Sequence, residues 1–317
     1  MSRPIRAPDP LMHAAVFAGQ APSLHNSQPW RWVVDGDHLD LRLEPRRVLR
    51  TTDPDARLAV LSCGTALHHA RVSLAAGGWR PVVHRFPDPA DIDHLARLRS
   101  GGRMPIEPVW TRLAQAAGRR HTDRRSAPSR PLDHDKLRSI GVAIRREGAD
   151  LKLLRPQQMF ILAKASDWAR GAEEDDPEWR VELAAWVGDE AAPDSGVHAP
   201  ALAGRPLRRP GSALIGESHH HASVFAVLHG AGDERPNWLT AGEALSAGWL
   251  TATELAVSVL PLSLVVEVAG SRDMIQRMLG GYELPYLVLR FATADPTAGK
   301  WPRTPRLPSE ATVQLIA

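Results

Sequence analysis

Arg120-His121-Thr122-Asp123-Arg124 and, well upstream of it, Pro22-Ser23-Leu24-His25-Asn26-Ser27-Gln28-Pro29-Trp30 are the two stretches on which the reading of this chain turns. The first sets two guanidiniums, an imidazole and a hydroxyl along a short segment. A guanidinium presents a planar fork of donors to anionic oxygens, so the pattern suits a phosphate. The second is a proline-bounded turn rich in side-chain donors and acceptors, suited to the polar edge of a flat heterocycle. Each has a plainer structural reading. Cations at a helix C-terminus complement its dipole, and Pro, Ser and Asn favour turns whatever their function.

Working outward, Leu11 to Gly19 reads as a short helix stopped by Gly19 and Pro22. Trp30-Arg31-Trp32-Val33-Val34 alternates, Asp35-Gly36-Asp37 turns, and Leu39-Asp40-Leu41-Arg42-Leu43 alternates again, which predicts a β-hairpin. Asp53-Pro54 reads as N-cap and first residue of a long helix running to Gly77-Gly78, followed by a strand at Pro81 to Phe86. Beyond Pro108 the pattern predicts helices over 108–118, 132–140, 157–171, 178–187, 238–259 and 272–279, with an acidic break at Glu173 to Pro177. Strands are expected at 151–154, 224–228 and 286–291. The aperiodic, glycine- and proline-rich stretch 189–218 reads as a lid or binding loop. Gly64-Thr65-Ala66-Leu67 and Gly242-Glu243-Ala244-Leu245 share a G-x-A-L pattern, and small residues there would let two long helices approach closely.

The 317 residues carry a formal net charge of +3, and the basic charge is almost all arginine, scattered among acids. No basic stripe is interleaved with aromatics, so nucleic acid is not an expected partner. Cys63 is the only cysteine, which excludes a disulfide framework and a cysteine metal site and fits a reducing cytoplasm. Neither a signal peptide nor an apolar run of membrane-spanning length is read, so a cytoplasmic protein is expected. His219-His220-His221 is adjacent rather than helically spaced and reads as a solvated loop, not a metal site. Nucleophile-elbow, Walker, dinucleotide and zinc-protease motifs are all missing from the sequence.

With these elements in this order, the chain resembles the FMN-dependent nitroreductase superfamily, in its Acg-like branch of actinobacteria, whose members look like two nitroreductase units fused in one chain. The resemblance rests on Ala21 to Trp30, Arg120 to Arg124, the helix beginning at Trp238 and the tail Pro302-Arg303-Thr304-Pro305-Arg306. It implies an α+β fold of two tandem units, residues 1–106 and 107–317, forming an intrachain pseudo-dimer that stays monomeric. It also implies one FMN, because the arginine motif is missing before the first half. By the same resemblance Arg120, His121, Thr122 and Arg124 contact the phosphate, ribityl chain and pyrimidine edge. Pro22, Ser23, Leu24 and Asn26 form the loop reaching over from the other half. Arg303 and Arg306 close on the phosphate, and Pro261, Leu262 and Ser263 run past the reactive N5. The glycine usual before that last segment is replaced here by Ala256 or Ser258.

The implied activity is hydride transfer from NAD(P)H through the flavin to a small acceptor such as a nitroaromatic, quinone or enone. No side-chain catalyst is expected for the hydride step, because the chemistry is the cofactor's. Two other readings stay open: a closed lid that stores or sequesters FMN, and a specialised pathway dehydrogenase. Arg119 and Arg125 are read as solvated, Trp30 and Trp32 as core, and Cys63 as a small buried hydrophobe. His25 faces either the flavin pocket or solvent.

Overall fold

The hairpin is where the sequence pattern predicts it. In a computed structural model that describes residues 9–123, 130–187, 223–294 and 304–316, β1 (Trp30–Asp35) pairs antiparallel with β2 (His38–Leu43). The two-residue turn needs Gly36, whose φ is +54°. Trp30, Trp32, Leu39 and Leu41 are completely buried on the inner face. β3 (Trp79–Arg85) and β4 (His94–Arg103) complete one edge of this sheet. The other edge is β9 (Val313–Ile316), the last strand in sequence, which lies parallel to β1 with Trp32 opposite Val313. The order is β3-β4-β2-β1-β9. A second, wholly antiparallel sheet follows the order β5-β6-β8-β7, from β5 (Asp150–Leu153), β6 (Ser223–Gly230), β7 (Val257–Leu262) and β8 (Leu284–Thr293).

The helices are α1 (Pro10–Ala18), α2 (Arg57–Ala76), α3 (Pro108–Ala117), α4 (His134–Arg146), α5 (Pro156–Asp175), α6 (Pro177–Val187), α7 (Arg235–Glu254), α8 (Leu264–Glu267), α9 (Ala269–Leu279) and α10 (Ser309–Thr312). At the centre, α2 packs on α7, and the two G-x-A-L glycines mark the crossing. A methyl on Gly64 would lie 2.9 Å from Cα of Gly242, and one on Gly242 would lie 2.8 Å from Cα of Gly64. The helices therefore touch backbone to backbone, and almost every residue of α2 is buried. Beside the crossing, the buried Glu243 carboxylate is held by Arg71 (2.8 Å) and Arg85 (2.7 Å), which keeps its charge paired. No helix among the described residues is long and apolar enough to cross a membrane.

Several expectations need correction. The helix expected over 238–259 stops at Glu254, and Ala256, at φ +54°, turns the chain into β7. An apolar run has no period that separates a buried helix from the strand after it. Asp53 does cap α2, but from further back. Its carboxylate accepts from the amides of Leu58 (3.1 Å) and Ala59 (2.8 Å), and the helix begins at Arg57 rather than at Pro54. The acidic run Glu173-Glu174-Asp175 remains helical, with the break at Asp176. The helix expected over 132–140 extends to Arg146. Strands β4 and β9 were not anticipated. The lid expected at 189–218 lies outside the described residues, as does the His219 to His221 run.

Candidate active site

The loop from Pro22 to Pro29 crosses the first half in an unusual conformation. His25, Asn26 and Gln28 have φ of 45°, 60° and 49°, the left-handed region that non-glycine residues seldom occupy. Such backbone persists only where its surroundings over-determine it. Three sets of bonds do so. The Leu24 amide donates to Ser62 Oγ on α2 (3.1 Å), and the Thr65 hydroxyl donates to the Pro22 carbonyl (2.6 Å). Within the loop, the Gln28 amide donates to Ser23 Oγ (2.9 Å). From the C-terminal tail, the Leu307 amide donates to Oε1 of the wholly buried Gln28 (3.0 Å).

That tail brings Arg306 to the loop. Arg306 Nη1 donates to Asn26 Oδ1 (3.0 Å), and Asn26 Nδ2 donates back to the Pro305 carbonyl (3.1 Å). Arg120 arrives from the other side, just beyond α3. Its guanidinium lies 4.6 Å from the centre of the Trp249 ring, a cation–π contact with α7. Both arginines reach the same acceptor, the Gln20 carbonyl, at 3.4 Å from Arg120 and 3.5 Å from Arg306. The two cations are thus gathered at one point. Among the described residues neither forms a salt bridge, and the buried Nε of each lacks a hydrogen-bond partner.

The electrostatics follow. Burial pushes the Arg120 guanidinium down to about 9, and the neighbouring charge of Arg306 pushes in the same direction. Burial lowers Arg306 to about 10. On α2, burial first and then the charge of Arg120 keep the imidazole of His69 neutral. Two partly dehydrated cations with unused donors form a site that an anion would stabilise, because it supplies the missing acceptors and offsets their repulsion.

The other expected residues are distributed around this point. Thr122 is half-buried, whereas His121 is exposed, its ring Nδ1 3.2 Å from the Arg119 carbonyl. The Asp123 amide donates to the Val259 carbonyl (3.1 Å), which lays the 120–123 stretch beside β7. β7 ends at Pro261-Leu262, and Ser263 opens α8, where the Val266 amide donates to its carbonyl (2.8 Å). Arg124 and Arg303 lie outside the described residues. Trp249, Gln20 and Gln28 were missed as site residues. Trp249 was absorbed into an apolar helix pattern, and Gln20 contributes only a backbone carbonyl, which no side-chain pattern can show.

Comparison with known proteins bears on the family. No family model matches the chain. It is 36% identical over 311 residues to a Mycobacterium tuberculosis protein with the provisional name NAD(P)H nitroreductase Rv3131, covering 92% of this chain and 87% of that protein. The chain belongs to the nitroreductase family. A second relative from the same organism, provisionally named NAD(P)H nitroreductase acg, is 32% identical over 326 residues, covering 98% of this chain and 96% of its own, which places the chain in the Acg-like branch of that family. Among solved structures, the FMN-dependent nitroreductase NfnB of Mycobacterium smegmatis, in complex with NADPH, matches 65% of this chain and 100% of its own at 18% identity, with a TM-score of 0.44. The described residues form an α+β architecture with two sheets, and Arg120, Asn26 and Arg306 are the expected residues that it brings into one place.

Proposed function

We propose that this protein is an FMN-binding oxidoreductase in which Arg120 and Arg306 hold the flavin phosphate, and that it passes hydride from NAD(P)H to a small nitroaromatic, quinone or enone. The observation that carries this reading is the meeting of two guanidiniums on the Gln20 carbonyl with unused buried donors and, among the described residues, no salt bridge to an acid. The donor set fits a phosphate monoester, since the two planar forks offer more N–H groups than the protein itself engages. The names of Rv3131 and acg, as NAD(P)H nitroreductases, support the same class of reaction.

Each part of the chain then has a task. Arg120 and Arg306 bind and orient the phosphate, and Asn26 steers Arg306 by accepting from its Nη1 while its own amide holds the Pro305 carbonyl. The family resemblance gives Arg124, with His121 and Thr122, to the phosphate, ribityl chain and pyrimidine edge, and Arg303 to the phosphate; Arg124 and Arg303 lie outside the described residues. Pro22, Ser23 and Leu24 cover one side of the cofactor, and Pro261, Leu262 and Ser263 the side near its reactive edge. When bound, FMN supplies two-electron exchange at N5. The halves 1–106 and 107–317 act as counterparts of two subunits, with β9 returned to the first sheet.

The deciding experiment is the visible spectrum of the purified protein before and after anaerobic NADH or NADPH. The expected result is a yellow protein with one FMN per chain that nicotinamide bleaches. A flavin bleached by dithionite but not by nicotinamide would replace turnover with storage, and a protein unable to take up FMN would refute the site.

A further inference from the structure

His69 lies well inside α2 and is wholly buried. Its Nδ1 is 2.9 Å from the Thr65 carbonyl, which can only accept, so Nδ1 carries the hydrogen of the neutral ring. Ser246 on α7 agrees with that tautomer. Its hydroxyl stands 3.0 Å from His69 Nδ1 and 2.8 Å from His68 Nδ1, and is free to donate to His68. Nε2, on the other side of the His69 ring, is then a bare lone pair. It is buried and has no hydrogen-bond partner.

The ring stands beside the arginine pair. It meets Phe17 of α1, with ring centres 6.2 Å apart, and just after α1 comes Gln20, whose carbonyl gathers Arg120 and Arg306. It also meets Ser246, one helical turn before Trp249, on which Arg120 lies. The chief charges acting on the imidazole are accordingly those of Arg120, His68 and Arg306. Burial holds His68 neutral, which leaves the two arginines. The other ionisable groups of the surrounding helices are engaged elsewhere. His13 on α1 meets Ser73 (3.1 Å), Glu243 on α7 pairs with Arg71 and Arg85, and Arg112 on α3 pairs with Glu254.

A bare lone pair is the wrong neighbour for a phosphate. Both are acceptors, and without a hydrogen between them they repel. A proton on Nε2 turns the ring into a third charged donor beside the two guanidiniums. Two cations alone oppose that proton, whereas a dianion between them favours it.

We propose that His69 is a proton-linked ligand of the phosphate: its Nε2 takes up one proton from solvent as the dianion binds and donates the resulting N–H to a phosphate oxygen. The inference rests on the flavin reading given above. No bond of the cofactor is made or broken, and the balance is one proton drawn from the buffer for each phosphate monoester bound. Arg120 and Arg306 supply standing charge, and His69 supplies charge that arises with the ligand.

The test is calorimetric titration of flavin-free protein with FMN at pH 7.5, in two buffers of different ionisation enthalpy. At that pH the free phosphate is mostly the dianion, its second pKa being about 6. Both arginines, pushed down to about 9 and about 10, still keep their protons. The wild type should take up close to one proton per FMN, and its affinity should fall about tenfold from pH 7 to pH 8. His69→Gln places an amide donor near the position of Nε2 without a titrating proton. It should bind FMN with almost no uptake and with nearly level affinity over the same range. Equal uptake in the two proteins, or none in the wild type, would overturn the proposal. Riboflavin, which lacks the phosphate, should bring no uptake; uptake equal to that with FMN would place the proton elsewhere and overturn it as well. Nitrogen NMR of the wild type does not depend on how the variant folds. On addition of FMN the His69 Nε2 resonance should move from its unprotonated to its protonated position, and a resonance that stays put would refute the assignment. Failure of both proteins to bind FMN would sink the flavin reading itself, and this proposal with it.

Discussion

Replacing Gly242 by alanine should unseat the two central helices. In an ordinary helix the substitution is favourable by about 1 kcal/mol, because alanine has the higher propensity. Here the new methyl would be driven into the Leu61 carbonyl oxygen and lie 2.8 Å from Cα of Gly64. Carbon atoms are most favourably separated by about 3.5–4 Å. Both obstacles are backbone of α2, so no side chain can rotate away, and the helices must part. Overpacking costs typically about 1–3 kcal/mol. With backbone on the opposing side the upper end applies, leaving a net loss of about 2 kcal/mol after the propensity gain. Gly141, within α4, is the control, because a methyl there would meet nothing within 4 Å. Gly141→Ala should gain about 1 kcal/mol. The two variants then differ by about 3 kcal/mol, which for a chain of this size is a separation in Tm of roughly 5 °C. Thermal unfolding followed by circular dichroism measures it. If Gly242→Ala melts with or above Gly141→Ala, the close crossing of α2 and α7 is refuted.

Arg120→Ala and Arg306→Ala should each weaken FMN binding about ten- to hundredfold, since a hydrogen bond to a charged group contributes about 1.5–3 kcal/mol. Fluorescence titration of flavin-free protein measures this, and the exposed Arg138 is the control: an equal loss in Arg138→Ala would mean a diffuse electrostatic effect. Burial, followed by the charge of Glu267, raises the Asp53 carboxyl from 3.8 to about 6, which corresponds to about 3 kcal/mol at 1.36 kcal/mol per unit. Because the folded-state value is the higher one, the folded chain holds the proton longer, and this contribution is complete below about pH 4 and lost as pH rises through about 6. Asp53→Asn should therefore flatten the stability–pH curve across that window in urea melts, and an unchanged slope would contradict the assignment. The Glu182 carboxylate accepts from the amides of Thr51 (3.0 Å) and Thr52 (2.8 Å) and from the Thr52 hydroxyl (2.7 Å), tying α6 to the first half. In Glu182→Ala, hydrogen exchange at Thr51 and Thr52 should accelerate; unchanged protection there would show that other contacts hold α6.

The sequence by itself determined the parts governed by local rules. Alternation and a Gly36 turn set the β1–β2 hairpin, because period-two burial and a left-handed turn position are properties of neighbouring residues. Paired glycines in two long helices foretold their crossing, because only glycine lets two backbones meet. The arginine motif and the proline-bounded loop pointed to the family. What only the tertiary structure decided depends on residues remote in sequence. The apolar run after Leu250 divides between α7 and β7 because β8 is there to pair with it, a partner invisible to local periodicity. The short β9 is a strand only because β1 offers an open edge. Arg306 donates to Asn26, and Arg306 and Arg120 share one carbonyl, only after the tail has returned across the first half. Glu267 acquires a partner only because the fold buries it within 3.6 Å of His25. Charge and residue type are written along the chain, but desolvation and proximity, which turn them into chemistry, arise only from packing.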